Sequence, residues 1–227
     1  MEIEKQNYQY LKEEALKAGA TLFGVCKLDL LKNELVDISF DSIKDMNYAI
    51  SLAVRLSDKI IEDIKDHPTK LYFYHYRQVN YFLDRIALQL TVLIQGKGYD
   101  ALPIPSSQTV NWNEQKGHLS HKKIAFMAGL GWIGRNNLLV NPDFGSRLRL
   151  VTVITNIPLS VDIPVKLDCG NCKDCISVCP AGAIKETKEQ FDHRACFEQL
   201  DIFRKKYNIG HHICGVCVKS CRGHKKY

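Results

Sequence analysis

The chain has 227 residues, of which 45% are hydrophobic and 25% charged, and its formal net charge at pH 7 is +6. This length suits one or two domains and is sufficient to bury a substantial core. No run of about 18 apolar residues is present, so the sequence predicts no membrane span. The charged N-terminal stretch lacks an apolar signal core, which predicts a cytoplasmic protein.

Helices and strands alternate along the first part of the chain. Hydrophobic periodicity predicts an amphipathic helix over residues 4–19 and a long helix over 72–95, which end at Gly19 and Gly96. A further helix is predicted over about 119–129. Apolar runs between turn residues predict strands at 21–27, 47–56, 100–105, 137–141 and 147–156.

This alternation predicts a mixed α/β (α+β) fold. The first predicted domain covers residues 1–160. The proline-bounded segment 158–164 marks the boundary before a smaller domain over residues 161–227.

Three glycines follow the predicted helix that ends near residue 129, in the spacing Gly129-x-Gly131-x2-Gly134. Glycine lets the backbone turn tightly and approach a large planar or anionic ligand. The dinucleotide-binding form of this spacing follows a strand and opens a helix, whereas here it closes a helix and opens a strand. A dinucleotide site is therefore rejected. The alternative is a glycine that only ends the helix, while Trp132 fills the core.

Eight of the nine cysteines lie in the last 59 residues. The run Cys169-x2-Cys172-x2-Cys175-x3-Cys179-Pro180 has the ligand spacing of a bacterial ferredoxin with two clusters, in which the fourth cysteine serves the other cluster. A second run, Cys214-x2-Cys217-x3-Cys221, matches the same motif if its first cysteine is displaced to Cys196.

Crossing the fourth cysteines predicts two [4Fe–4S] clusters with four thiolates each. The first cysteine group is Cys169, Cys172, Cys175 and Cys221, and the second cysteine group is Cys179, Cys196, Cys214 and Cys217. A disulfide framework would require an oxidising compartment. Structural zinc is the other alternative, but a zinc site has no need for the third cysteine and the Cys-Pro pair. The ninth cysteine, Cys26, lies in an apolar run and is predicted to be a buried strand thiol.

Two stretches together carry a family resemblance: AGLGWIGRNNLLV at 128–140 and, about thirty residues later, CGNCKDCISVCPAGAI at 169–184. This combination resembles the epoxyqueuosine reductases and the related reductive dehalogenases. The resemblance implies a nitroreductase-like α/β domain that binds cobalamin, followed by a ferredoxin-like module with two [4Fe–4S] clusters. It also implies a reductase in which electrons pass from the clusters to cobalt.

The resemblance further implies a set of cofactor and catalytic residues. The residues expected to shape the cobalamin site are Gly129, Gly131, Trp132, Gly134, Arg135 and Asn136. Epoxyqueuosine reductases place an acidic proton donor about thirteen positions before the alanine of AGLGW, and an ungapped match puts Gln115 there. Glu114, His118 and His121 are nearby, and His121 is the preferred proton donor.

The expected partners follow from the same resemblance. They are a small-molecule or nucleoside-like substrate and an external electron donor such as ferredoxin or flavodoxin. Transfer RNA is a further candidate, with basic residues at 204–206 and 224–226 as a surface for it. Two alternatives stay open: a protein that transfers electrons to, or processes, cobalamin for another enzyme, and an FMN-binding protein, since the nitroreductase-like fold can hold a flavin.

Overall fold

The computed structural model describes residues 2–224, except for the side chain of Leu30; Lys225 and Lys226 of the predicted basic tail lie outside this range. Its α-helices are α1 (Glu2–Lys17), α2 (Phe40–Ile43), α3 (Asp58–Glu62), α4 (Lys70–Gly96), α5 (His121–Met127), α6 (Asp174–Ser177), α7 (His193–Lys206) and α8 (Val216–Ser220). Its strands are β1 (Leu22–Lys27), β2 (Tyr48–Arg55), β3 (Ala101–Ile104), β4 (Trp132–Ile133), β5 (Leu139–Val140) and β6 (Leu148–Thr155). Short 3-10 helices cover Asp29–Glu34 and Lys188–Gln190.

These elements confirm the mixed α/β fold predicted from the sequence. The predicted helices over 4–19, 72–95 and 119–129 correspond to α1, α4 and α5, and the predicted strands correspond to β1, β2, β3, β5 and β6. Residues 28–46, which lie outside the predicted elements, form one 3-10 helix and the single turn of α2. None of the helices within residues 2–224 is both long enough and apolar enough to cross a membrane.

The chain packs as two compact units that each draw on three separate segments. The first unit comprises the residues up to Val54, Asn80–Leu130 and Arg149–Val165. The second comprises Arg55–Val79, Gly131–Leu148 and the residues from Lys166 onward. The division of the chain into domains at residues 160 and 161 stays a prediction.

The first unit is built on a four-stranded sheet of order β1-β2-β6-β3. Strand β1 pairs antiparallel with β2 in the register Val25↔Ile50, and β3 pairs antiparallel with β6 in the register Pro103↔Val153. Helices α1 and α5 both pack against β1. The predicted burial of Cys26 is confirmed: it is 2% exposed and lies in an apolar cluster with Leu28, Ile43, Ala49, Ile124 and Ile154.

The segment around Asp162 is hydrogen bonded to α1 and β1 of the same unit. The Asp162 carboxylate accepts hydrogen bonds from the Tyr8 hydroxyl at 3.0 Å and from the Val25 amide at 2.8 Å. The Asp162 amide donates to the Val25 carbonyl at 2.8 Å. Because burial and the neighbouring carboxylate both disfavour the phenolate, they raise the pKa of Tyr8, which therefore stays a hydrogen-bond donor.

The second unit contains the two-stranded pair β4 and β5, in the register Trp132↔Val140, and the short helices that carry cysteines. Helix α8 packs against α6 and α3. It begins after Gly215, whose φ of +86° places it in the left-handed region and whose missing side chain leaves room for Ile64 and Tyr72. Glycine alone adopts this conformation at no steric cost, so the chain can turn sharply into the helix.

Candidate functional site

Short turns and helices of the second unit present the eight clustered cysteines. Cys169 and Cys172 lie in one turn, closed by a 3.0 Å hydrogen bond from the Cys172 amide to the Cys169 carbonyl. Cys175 lies on α6, and Cys179 follows that helix. Cys196 lies on α7, whereas Cys214, Cys217 and Cys221 lie before, on and after α8. Tight turns at helix ends therefore bring the cysteines of each run close together in space.

The first cysteine group is brought together by α6 and α8. Burial, followed by electrostatic repulsion from Cys221, Cys169 and Cys172, raises the pKa of the Cys175 thiol to about 12. These three neighbours are the other members of the group predicted from the spacing. Cys221, which comes from the second sequence run, therefore lies beside the thiols of the first run.

The thiols of the second cysteine group also interact electrostatically with one another. Burial, together with repulsion from Cys196 and Cys179, raises the pKa of Cys214 to about 12. The pKa of Cys217 is also raised, first by burial and then by Cys214, Cys196, Cys175 and Cys179. Cys217 thus interacts with its whole predicted group and with one thiol of the first group, so the two groups adjoin.

The raised pKa values of Cys175, Cys214 and Cys217 favour the protonated thiols over the thiolates. Each thiolate would be buried beside others of the same charge, which is why the pKa values rise. A bound metal centre reverses this preference, because a coordinating thiol is deprotonated outright. Among residues 2–224, no three His, Cys, Asp or Glu side chains are close enough to share one metal ion. The donor set fits multi-iron clusters, whose four thiolates bind different irons; the cysteines' role as ligands stays a prediction.

Residues 132–136 of the second unit contact the turn that carries the first cysteine group. The indole Nε1–H of Trp132 donates to the Sγ of Cys169 at 3.4 Å. The Arg135 guanidinium donates to the carbonyl oxygens of Glu186, Cys172 and Gly170, at 2.5, 2.8 and 2.8 Å. One planar cation thus holds the turn from Cys169 to Cys172 and the separate segment at Glu186.

Asn136 is connected to the same group through a serine. Its side-chain amide, which is 4% exposed as a residue, donates to the Ser146 hydroxyl at 3.2 Å. Burial raises the pKa of Cys221, and hydrogen bonds from the Ser146 hydroxyl and from the backbone of Gly223 and Ser146 partly offset that effect. Ser146 was not predicted as a functional residue. No motif connects it to a cysteine 75 positions later in the sequence.

The three glycines are explained by contacts within the protein. Gly129, in the first unit, has φ +73° and ends α5: its amide bonds to the Phe126 carbonyl and the Leu130 amide to the Ala125 carbonyl, the pattern of a Schellman cap. A side chain at Gly131 would overlap the Val140 carbonyl, and one at Gly134 would lie 2.6 Å from a Val140 methyl group. The glycine cap considered as the alternative is therefore present, and Trp132 is 3% exposed. Contacts of all six residues with cobalamin stay predictions.

A buried arginine connects helix α8 to the acidic side chains of α3. Arg147 is 6% exposed and forms ion pairs with Asp58 at 3.0 Å and with Glu62 at 2.7 Å, and it donates to the Lys219 carbonyl. Lys219 in turn donates to the carbonyls of Glu62 and Ile64. No sequence pattern indicates this arrangement, because the acids stand more than 80 positions before the arginine.

The three predicted proton donors lie in the first unit, and each has hydrogen-bond partners. Gln115 donates to the Trp112 carbonyl, within a turn closed by the bridge between Asn111 and Lys116. The Nδ1 of His118 lies 3.0 Å from the Val36 carbonyl. Their catalytic roles stay predictions.

His121, the preferred donor, has both ring nitrogens engaged. Its Nε2 lies 2.9 Å from the Pro105 carbonyl, which can only accept, so Nε2 carries the proton. Its Nδ1 then accepts from the Thr152 hydroxyl at 2.8 Å. Burial lowers the pKa of His121 to about 4, so the ring is neutral at pH 7. This geometry favours a structural role over proton donation.

Comparison with known proteins agrees with the family resemblance. No family model matches the chain. The epoxyqueuosine reductase of Bacillus anthracis is 35% identical over 119 residues, which are 48% of this chain and 30% of that protein. The enzyme of the same name from Escherichia coli K12 is 42% identical over 81 residues, 36% of this chain and 21% of that protein. The chain thus spans less than a third of the length of these relatives.

Solved structures share the fold. A reductive dehalogenase, whose structure suggests a mechanism for B12-dependent dehalogenation, has a TM-score of 0.77 at 20% identity and covers 96% of this chain and 32% of its own. Epoxyqueuosine reductase from Streptococcus thermophilus has a TM-score of 0.65 at 21% identity and covers 96% and 66%. An epoxyqueuosine reductase with a modified tRNA stem loop covers 77% and 52%, with a TM-score of 0.53 at 20% identity. The predicted resemblance to these two kinds of reductase is confirmed.

The first prediction concerns the pH dependence of stability through His121. Its folded pKa lies below the ordinary value of 6.5, so the unfolded chain binds the proton more tightly. We expect His121 to contribute stability above pH 6.5 that is lost as the pH falls towards 4, up to about 3 kcal/mol. His121→Gln keeps a donor and an acceptor but does not titrate. Urea unfolding from pH 7 to 4 should show a steeper loss for wild type; parallel curves would contradict the lowered pKa.

The second prediction concerns Arg135. Lysine cannot reproduce a planar fork that reaches three carbonyls, so Arg135→Lys should lose two hydrogen bonds and about 1–3 kcal/mol of unfolding free energy. Arg194→Lys is the matched control, because the Arg194 side chain is 89% exposed and pairs with Glu198 on the same helix α7. Denaturant unfolding of both variants measures the difference. Equal stability of the two variants would show that the three carbonyl contacts contribute nothing.

Proposed function

We propose that this chain is an oxidoreductase that uses two [4Fe–4S] clusters and cobalamin to reduce a small-molecule or nucleoside-like substrate. The observation that carries the proposal is the electrostatic interaction of the clustered thiols in two groups, each with one cysteine from the other sequence run. Crossed fourth cysteines of a two-cluster ferredoxin require this division. The relatives named epoxyqueuosine reductase support the assignment to reductive chemistry.

In this proposal Cys169, Cys172, Cys175 and Cys221 hold the first cluster, and Cys179, Cys196, Cys214 and Cys217 hold the second. Arg135 and Arg147 act on the backbone around these ligands and fix the turns from which the thiols project. Reduction would require an external donor of the ferredoxin or flavodoxin class, because the clusters transfer single electrons and generate none.

Cobalamin enters the proposal through the relatives, one of which is described as B12-dependent. When bound, it would supply a strongly reducing cobalt centre for the substrate step. The side chains of Arg135 and Asn136 are already hydrogen bonded to the protein, so they do not provide free groups for its amides and phosphate. These two side chains are therefore not assigned to cobalamin binding in this proposal.

Transfer RNA is a less favoured substrate for this chain. One relative of known structure was solved with a tRNA stem loop. Of the basic residues predicted as a nucleic-acid surface, Arg204 and Lys205 form ion pairs with Asp201 at 2.9 and 2.5 Å. This pairing reduces the positive charge that would attract phosphate groups.

A second candidate function is favoured by the hydrogen bonding of the predicted proton donors. Gln115 stands at the position of the family acid and cannot release a proton, and both nitrogens of His121 are engaged. A protein that reduces or processes cobalamin for another enzyme would need no proton donor. Such a protein would reduce bound cobalamin but would not turn over epoxide, halide, nucleoside or tRNA stem-loop substrates.

The third prediction tests how the cysteines are shared between clusters. Anaerobic reconstitution should give about eight iron and eight sulfide per chain. Cys179→Ala should leave the same surviving cluster signal in electron paramagnetic resonance as Cys196→Ala, and Cys175→Ala the same as Cys221→Ala. Without crossing, Cys179→Ala would instead resemble Cys175→Ala. A wild-type protein that takes up zinc but no sulfide would contradict the cluster proposal itself.

The fourth prediction separates corrinoid from flavin. The reconstituted protein, dialysed anaerobically against hydroxocobalamin or against FMN in parallel, should retain the corrinoid and change its cobalt spectrum on reduction. Bovine serum albumin treated in the same way controls for nonspecific retention. Retention of FMN without corrinoid would replace cobalamin with the flavin alternative, and retention of neither would leave only electron transfer by the clusters.

A further inference from the structure

Trp132 combines burial with a single, directed hydrogen bond. The residue is 3% exposed and its backbone pairs with Val140 in the β4–β5 ladder. An indole has one N–H donor and no acceptor. That donor points at the Sγ of Cys169, with 3.4 Å between the nitrogen and the sulfur. This buried tryptophan therefore uses the one polar atom of its side chain on a predicted cluster ligand.

Two further contacts hold the indole in this position. The His224 ring packs against it, with 4.8 Å between ring centroids, and the His224 Nε2 lies 3.1 Å from the carbonyl of Asp168, the residue before Cys169. A side-chain carbon at Gly134 would lie 3.5 Å from the Cys169 sulfur, so the glycine keeps that side of the sulfur open. The donor and the acceptor are thus both fixed by neighbours within the same unit.

We propose that Trp132 is a positioning residue that raises the reduction potential of the first cluster through its hydrogen bond to Cys169. Reduction adds negative charge to the cluster and its thiolates, and a hydrogen bond to a ligand sulfur stabilises that charge. The reduced state gains more from the bond than the oxidised state does. Because this hydrogen bond reaches a ligand of the first cluster, it would raise the reduction potential of that cluster relative to the second.

This inference rests on the proposed function, since it requires a cluster on Cys169. It differs from the cobalamin contact expected for Trp132 and from simple core filling. A cobalamin contact predicts altered corrinoid binding with unchanged cluster potentials. Core filling predicts lower stability, again with no selective change at one cluster.

The experiment compares three holoproteins: wild type, Trp132→Phe, and a variant with benzothienylalanine at position 132, which keeps the indole shape but lacks the N–H. Trp112→Phe is the matched control, because Trp112 is 59% exposed and lies in the first unit. Potentials of both clusters are read by redox titration with paramagnetic resonance, with the signals assigned from the cysteine variants. Exchange into D2O tests for an exchangeable proton coupled to the first cluster.

We expect both position-132 variants to make the first cluster harder to reduce, by about tenfold in the equilibrium constant, or about 59 mV for one electron. The second cluster and Trp112→Phe should keep wild-type potentials. The coupled proton should be present in wild type and absent in the benzothienylalanine variant.

Unchanged potentials, or equal shifts of both clusters, would overturn the inference. If Trp132→Phe fails to assemble clusters, the wild-type D2O measurement still decides, since absence of the coupled proton there also overturns it. Failure of wild type to bind iron and sulfide would instead refute the proposed function.

Discussion

The gathering of eight thiols at turns and short helix ends is the constraint on which the cysteine-bearing unit depends. Burial, followed by neighbouring thiolates, raises the pKa values of Cys175, Cys214 and Cys217, so these thiols stay protonated unless a positive centre binds them. The turns that present the thiols are held in place by other contacts. Arg135 and Arg147 supply these, each bonded to backbone carbonyls of the segments that carry cysteines.

The segment from Trp132 to Asn136 is connected to the first cysteine group by its side chains. Its side chains reach the first cysteine group in three ways: a donor to a sulfur, a clamp on carbonyl oxygens, and an amide that orients Ser146. Partners of ligands often determine the properties of a metal centre as much as the ligands do. The two stretches that together carried the family resemblance are joined by these contacts, which gives a physical reason for their occurring together.

In the first unit, titratable side chains serve as hydrogen-bond partners within the fold. Asp162 satisfies a backbone amide and a tyrosine hydroxyl, and His121 satisfies a carbonyl and a threonine hydroxyl. Both side chains can titrate, yet their hydrogen bonds connect neighbouring segments of the fold: Asp162 to β1, and His121 to β6. A titratable side chain near a family motif is thus a poor guide to catalysis until its partners are known.

The sequence by itself determined the longer elements of the first part of the chain and predicted the grouping of the cysteines. Hydrophobic periodicity located α1 and α4 and an apolar run located β2, because these patterns repeat between residues near each other along the chain. The cysteine spacing predicted the crossed groups because it matches the ligand spacing of a two-cluster ferredoxin. The tertiary structure alone decided which side chains support these groups. Trp132 meets Cys169 across 37 positions, and Arg147 meets Asp58 across 89. Such distant pairs leave no periodic signal, since they arise only when the folded chain brings separate segments together.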